Sequence, residues 1–233
     1  IVEAFEAGVD DYIAKPMNLR ALRARMRAAL HYVKLLEAWE QDRSQLKQFA
    51  AELAISNRRL KHAAMTDLLT GLPNRRAGMD ALAKGWGASH RTGQPVAALM
   101  IDVDRFKSVN DRYGHAVGDL VLQAVAKGIL SAARKDDSVS RLGGEEFLLI
   151  CHNADAKTAL LAAERLCKTV KALTIEIAGV GIQISVSIGV ANREVGMQDA
   201  DALVLAADKA LYAAKNAGRD RVCLYSQGRT HCA

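Results

Sequence analysis

An apolar run over residues 97–101 stops abruptly at Asp102-Val103-Asp104-Arg105-Phe106-Lys107. If the run is a strand, alternation puts Asp102 and Asp104 on one face at its tip. Carboxylates there, with nearby carbonyls, are hard oxygen ligands suited to Mg²⁺. The same pair also suits a plain solvated strand end. A second cluster is Arg141-Leu142-Gly143-Gly144-Glu145-Glu146-Phe147. Its two glycines allow a tight turn and close approach of a phosphate, although a charged Gly-Gly hairpin needs no ligand. If the two strands are neighbours, Asp102 and Glu145 come together. Adjacent acids repel, and a divalent cation removes that penalty. Mg²⁺ is usually held by one or two carboxylates plus substrate phosphates, so a nucleoside triphosphate is implied.

Two further stretches fit such a substrate. Asn110 and Asp119 bracket a turn into a helix, with His115 between them. An Asp can accept the N1–H and N2–H₂ of guanine and an Asn can satisfy its remaining edge, which would reject adenine strongly. His115 is ambiguous, since a lone His usually has a structural place. Lys215-Asn216-Ala217-Gly218-Arg219 closes a helical pattern. Its cations complement a helix C-terminus, and they could also reach triphosphate oxygens.

The elements needed to position these groups are readable from periodicity. Val96 to Val103 reads as a buried strand. Asn74 can cap a helix from Arg75 to about Lys84, and a helix follows a Gly-containing turn between Asp111 and about Ala133. Residues 139–142 and 146–151 form a hairpin around Gly143-Gly144. Residues 155–173 and 199–216 read as helices, 182–188 as one alternating strand and 222–225 as a short last strand. Alternating helices and strands with an antiparallel hairpin imply an α/β (α+β) class, a mixed central sheet flanked by helices.

Ahead of this domain, residues 31–65 contain neither Gly nor Pro. Tyr32, Leu35, Trp39, Leu46, Phe49, Leu53, Leu60 and Ala63 follow a 3-4 apolar repeat. A parallel coiled-coil linker is expected, the alternative being one amphipathic helix lying on its own domain. Residues 7–11 read as a turn, 12–14 as a three-residue strand and 19–30 as a helix, the tail of a domain whose body would lie upstream. The expected organisation is therefore 1–30, 31–65 and 66–233.

The 233 residues are 50% hydrophobic and 25% charged, which excludes wholesale disorder. No stretch is apolar enough to span a membrane. The first residues lack the basic and apolar regions of a signal peptide, and the missing initiator Met fits a piece of a longer protein. The net charge of +6 is shared evenly between 1–66 and 67–233, so no basic groove for nucleic acid stands out. Four widely spaced cysteines without a CxxC point to a reducing cytoplasm and away from a disulfide framework or a zinc site.

Taken together, Asp67-Leu68-Leu69-Thr70-Gly71-Leu72-Pro73-Asn74-Arg75-Arg76, the run from Asp102 to Asp119, Gly143-Gly144-Glu145-Glu146-Phe147 and Lys215 to Arg219 resemble the diguanylate cyclases, the GGDEF-domain family. The likeness covers about 67–228, with Glu in place of Asp at the third signature position. It implies a palm-like fold related to nucleotidyl cyclases and the condensation of two GTP into cyclic di-GMP with release of two pyrophosphates. Carried over, Asp102, the Val103 carbonyl, Glu145 and Glu146 would hold Mg²⁺. Glu145 would be the candidate base and Lys107 the transition-state cation. Asn110, His115, Asp119, Gly143 and Gly144 would contact substrate, and Lys215 and Arg219 its phosphates. Two domains must face each other, so a homodimer through the helical linker is implied. Arg134-Lys135-Asp136-Asp137 matches the family's product-inhibition site, with Arg134 and Asp137 contacting cyclic di-GMP; a charged loop after a helix is the plainer reading. Residues 7–16 are similar to the end of a response-regulator receiver domain, where Lys15 would contact the phosphoryl group, and an upstream histidine kinase would then control the full-length protein. A catalytically silent GTP or cyclic di-GMP binding module is the alternative.

Overall fold

The structure is a computed structural model that describes residues 5–9, 11–13, 15–177 and 180–232. By internal packing the chain divides into two units, Ile1–Leu60 and Lys61–Ala233.

The first helix, α1, runs over Leu19–Met65 without a break, beginning ahead of the expected linker. Asn18 opens it, its side chain accepting from the amides of Arg20 and Ala21. In the first unit the repeat Tyr32, Leu35, Trp39, Leu46, Phe49, Leu53 and Leu60 is exposed. Ala63 lies outside the residues whose side chains are described. Tyr12 and Ile13 form no strand, and Asp10, Ala14 and residues 1–4 lie outside the described residues. A three-residue strand needs a paired neighbour, and no pairing there is found among the described residues.

The second unit is built on a six-stranded sheet. Its strands are β1 (Val96–Val103), β2 (Ser138–Gly143), β3 (Glu146–His152), β6 (Val186–Asn192), β7 (Val222–Ser226) and β8 (Arg229–Cys232), in the order β2-β3-β1-β6-β7-β8. Only β6 and β7 run parallel. A separate hairpin pairs β4 (Thr174–Ile177) with β5 (Val180–Gln183).

Central β1 is buried throughout, because helices cover both faces. Ala97, Leu99, Ile101 and Val103 face α4 (His115–Ala132) and α5 (Ala156–Lys171), meeting Val121, Val125, Ile129, Ala163 and Leu166. Val96, Ala98 and Met100 face α2 (Arg75–Thr92) and α6 (Ala200–Asn216), meeting Leu82, Leu203 and Leu211. The expected mixed α/β class is the observed one.

Several expectations are corrected. Helix α2 continues past Lys84 to Thr92, where Gly93 in the left-handed region ends it. The turn before α4 hides a separate helix, α3 (Phe106–Tyr113), split from α4 by Gly114. The alternation over 182–188 is two strands, β5 and β6. The strands β4 and β8 were not expected. Cys223 and Cys232, nine residues apart, face each other across the β7–β8 hairpin and form a disulfide. Spacing along the chain concealed a pairing that the turn at Gln227-Gly228 creates. Cys151 and Cys167 remain free, their thiols pushed up to about 12 by burial, so both stay protonated at neutral pH.

Candidate active site

β1 and β3 run antiparallel with Asp102 opposite Glu146, and the Val103 amide donates to the Glu145 carbonyl at 3.2 Å. The register thus brings Asp102, Val103, Glu145 and Glu146 to one end of the sheet. Gly144 and Glu145 form the tip between β2 and β3. Gly143 and Gly144 have φ of 140° and 53°, values that an L side chain rarely adopts.

Asp102 is 5% exposed. Its partner is Lys215 from the last turn of α6, at 2.7 Å. Burial raises the Asp102 pKa above the ordinary carboxylate value; Lys215 opposes this, and the negative charges of Glu145 and Glu146 add to it. Three acids against one ammonium leave this end of the sheet short of positive charge. All the donors are hard oxygens, so a divalent cation fits. Among the described residues no three acid, His or Cys side chains enclose an ion by themselves. A bound ion would therefore complete its shell with the Val103 carbonyl, water and substrate oxygens.

Asp104 behaves differently. Its carboxylate accepts from Ser185 Oγ at 2.7 Å, Ser187 Oγ at 2.6 Å and the Asp220 amide at 3.0 Å. It is a fully bonded anchor that ties the end of β1 to the start of β6 and to the loop after α6. The expected Asp-x-Asp pair therefore separates into one acid facing the charged site and one holding the frame.

Lys107 lies in the first turn of α3 and is exposed. Asn110 lies one turn on, and its Oδ1 is buried without a hydrogen-bond partner. A Cβ on Gly118 would sit 1.9 Å from that oxygen, so Gly118 makes room for it. His115 and Asp119, both exposed, are four residues apart on one face of α4. An unpaired buried acceptor on α3 and an exposed carboxylate on α4 suit a ligand edge with several N–H donors. Arg219, expected with Lys215, is exposed at φ 63° and lies in a concavity of about 490 Å³ with Asp104, Arg105 and Asp220. Arg134 and Asp137 form a reciprocal turn: the Arg134 amide donates to Asp137 Oδ2 at 2.8 Å and the Asp137 amide to the Arg134 carbonyl at 3.0 Å.

Behind the hairpin lies a brace that is not among the expected site residues. Arg141 Nη1 pairs with Asp67 at 2.9 Å, and Nε and Nη2 donate to the Gly144 carbonyl at 3.1 and 2.7 Å. Burial alone would raise the Asp67 pKa, but the Thr70 hydroxyl and amide and the Arg141 guanidinium outweigh it and hold it below the ordinary value. Asn74 caps α2 through Ala77 and donates to the Ala64 carbonyl. The signal available was Asp67-x-x-Thr70 beside Gly71, an Asx-type turn.

Comparison with known proteins decides the family. The model described as "Diguanylate cyclase, GGDEF domain" matches residues 64–221. This chain is a GGDEF-domain protein. It is 40% identical over 177 residues to "Diguanylate cyclase A" of Treponema denticola, covering 75% of this chain and 48% of the relative, so the chain spans about half that protein's length. It superposes with TM-score 0.70 at 28% identity on the coiled coil and GGDEF domain of DgcB from Caulobacter crescentus, solved in complex with c-di-GMP, covering 88% of this chain and 99% of that one. The active GGEEF domain of a diguanylate cyclase from Vibrio cholerae, which carries the same third-position Glu in its signature, aligns with TM-score 0.63 at 32% identity, covering 66% and 97%. No described helix is long and apolar enough to cross a membrane.

Proposed function

We propose that this chain is a Mg²⁺-dependent diguanylate cyclase that condenses two GTP into cyclic di-GMP as a homodimer. The observation that carries the reading is the charge-deficient end of the sheet, where buried Asp102 stands opposite Glu146 in the β1–β3 register and feels the charges of Glu145 and Glu146. The named relatives support it.

Each subunit binds one GTP. Asn110 Oδ1 and Asp119 accept from the guanine edge, and His115 lies on the same face of α4. Lys107 and Arg219 meet the phosphates, and Lys215 does so when it leaves Asp102. Mg²⁺ or Mn²⁺, held by Asp102, Glu145 and the Val103 carbonyl with Glu146 beside them, would make the 3′-hydroxyl more acidic and offset charge on the α-phosphate. The 3′-hydroxyl gives up its proton to water, its oxygen bonds to the partner's α-phosphorus, and the bond to pyrophosphate breaks. Repetition in the other direction closes the ring. Lys107 supplies fixed positive charge where negative charge grows. Glu145 serves the ion better than it serves as a base, since one carboxylate cannot easily be both a tight ligand and a free proton acceptor.

The exposed apolar stripe of α1 supplies the dimer contact and raises the effective concentration of one half-site for the other. Product returns to Arg134 and Asp137, where the guanidinium clamps phosphate or guanine and the carboxylate bonds a guanine edge, and turnover is limited. In the full-length protein, phosphorylation by a histidine kinase of a receiver domain that ends at residues 7–16 would be relayed through α1. Incubation with GTP and Mg²⁺ across protein concentration tests the whole: cyclic di-GMP forming with a rate steeper than first order in protein is expected, and GTP binding without product at any concentration makes the chain a silent binding module.

A further inference from the structure

A second basic concavity, of about 560 Å³, opens on the side of the hairpin braced by Arg141 and is lined by Asp67, Arg75, Arg76, Arg141, Met79 and Gly143 among others. Arg141 is committed to Asp67 and the Gly144 carbonyl. Arg75 and Arg76 are exposed, and neither forms an ion pair or a side-chain hydrogen bond among the described residues. Two uncommitted guanidiniums therefore border Gly143, and Glu145 follows two residues on, within about 7 Å along the chain.

Resting on the cyclase reading, we infer that Arg75 and Arg76 receive the triphosphate of the GTP carried by the partner subunit. A subunit's own triphosphate already has Lys107, Lys215 and Arg219 for its charge. The 3′-oxygen held near Glu145 must come within about 3 Å of the partner's α-phosphorus to react. That polyphosphate then has to pass the exposed turn Gly143-Gly144, and the uncommitted cations bordering the turn are Arg75 and Arg76. Planar guanidiniums suit this task, since each can take two phosphate oxygens and neutralise the charge that moves onto the leaving pyrophosphate. Each half-site would thus be completed in trans: acids and one GTP from one subunit, phosphates from the other.

The test separates cis from trans contacts. The native chain, Arg75→Ala/Arg76→Ala and Arg75→Lys/Arg76→Lys are compared in two measurements: calorimetric binding of Mg²⁺ with 3′-deoxy-GTP, which lacks the nucleophile, and steady-state cyclic di-GMP formation. In the alanine pair kcat should fall about a hundredfold, with KM and the dissociation constant for 3′-deoxy-GTP within about twofold of native. The lysine pair keeps the charges, guards against misfolding and should recover about a tenth of the native rate. Native-like kcat in the alanine pair overturns the inference. So does loss of 3′-deoxy-GTP binding, which would place the arginines on the subunit's own nucleotide. A native chain that makes no cyclic di-GMP overturns the cyclase reading and this inference with it; equal product from native and variant chains overturns this inference alone.

Discussion

Asp102 and Asp104 stand two residues apart at the end of one strand, both nearly buried, and their surroundings are opposite. Asp104 has two serine hydroxyls and a backbone amide on its carboxylate. Asp102 has one lysine against its own burial and two neighbouring glutamates. A buried acid is tolerated when its hydrogen bonds are complete. Where they are replaced by like charge, the fold carries an unfavourable site that a cation can relieve. The frame is the part with every bond made, and the proposed chemistry sits where the bonds are missing.

The largest break in this contrast is in turnover. Glu145→Ala should lower cyclic di-GMP formation by about a thousandfold or more, with the unfolding midpoint unchanged within about 2 °C. Retained turnover contradicts its place at the ion. Asp104→Ala should do the reverse in kind, removing about 3 kcal/mol of stability because Ser185, Ser187 and the Asp220 amide lose their acceptor. That is a fall of roughly 6–12 °C in midpoint by calorimetry; an unchanged midpoint shows that Asp104 is no anchor.

Asp67 belongs with Asp104, and pH exposes it. Its folded pKa is lowered, so its contribution is present above the ordinary value near 3.8 and is lost as pH falls through the folded value. Asp67→Asn should cost about 1–2 kcal/mol at pH 7. The gap from native should close in acid titrations below the ordinary value; a gap that persists there contradicts the shift. Asp102 carries the opposite sign: its raised pKa makes ionisation a growing penalty as pH rises from the ordinary value through the folded one.

Smaller effects concern the substrate edge and the product. Gly118→Ala puts a Cβ 1.9 Å from Asn110 Oδ1. The amide must swing away, and GTP affinity should fall about tenfold, the loss of one good hydrogen bond. Unchanged affinity in a GTP titration removes Asn110 from the guanine edge. Arg134→Ala should leave the initial rate within about twofold and raise the concentration of cyclic di-GMP needed for half-inhibition about tenfold. An unchanged inhibition curve removes that site.

Much of this was legible in the sequence where local chemistry decides. The apolar run closed by two acids marked β1 to the residue, and Gly143-Gly144 marked the hairpin. The division of labour between Asp102 and Asp104 was not legible, because it depends on Ser185, Ser187 and Asp220, more than eighty residues away in the chain. The Arg141–Asp67 brace is hidden for the same reason, with a separation of 74. Helix α3 was missed because residues 106–113 are mostly polar and only Phe106 is buried. The Cys223–Cys232 pair needed β8, a strand whose residues are all exposed and carry no alternating pattern.

The central claim is that the acids at the end of β1 and β3 bind GTP through a divalent cation. Calorimetry of 3′-deoxy-GTP with and without Mg²⁺, on the native chain and on Asp102→Asn, measures it directly. The account predicts binding to the native chain that depends on Mg²⁺ and a loss of that dependence in Asp102→Asn. Equal affinity with and without the metal, or a metal dependence that survives in Asp102→Asn, would contradict it.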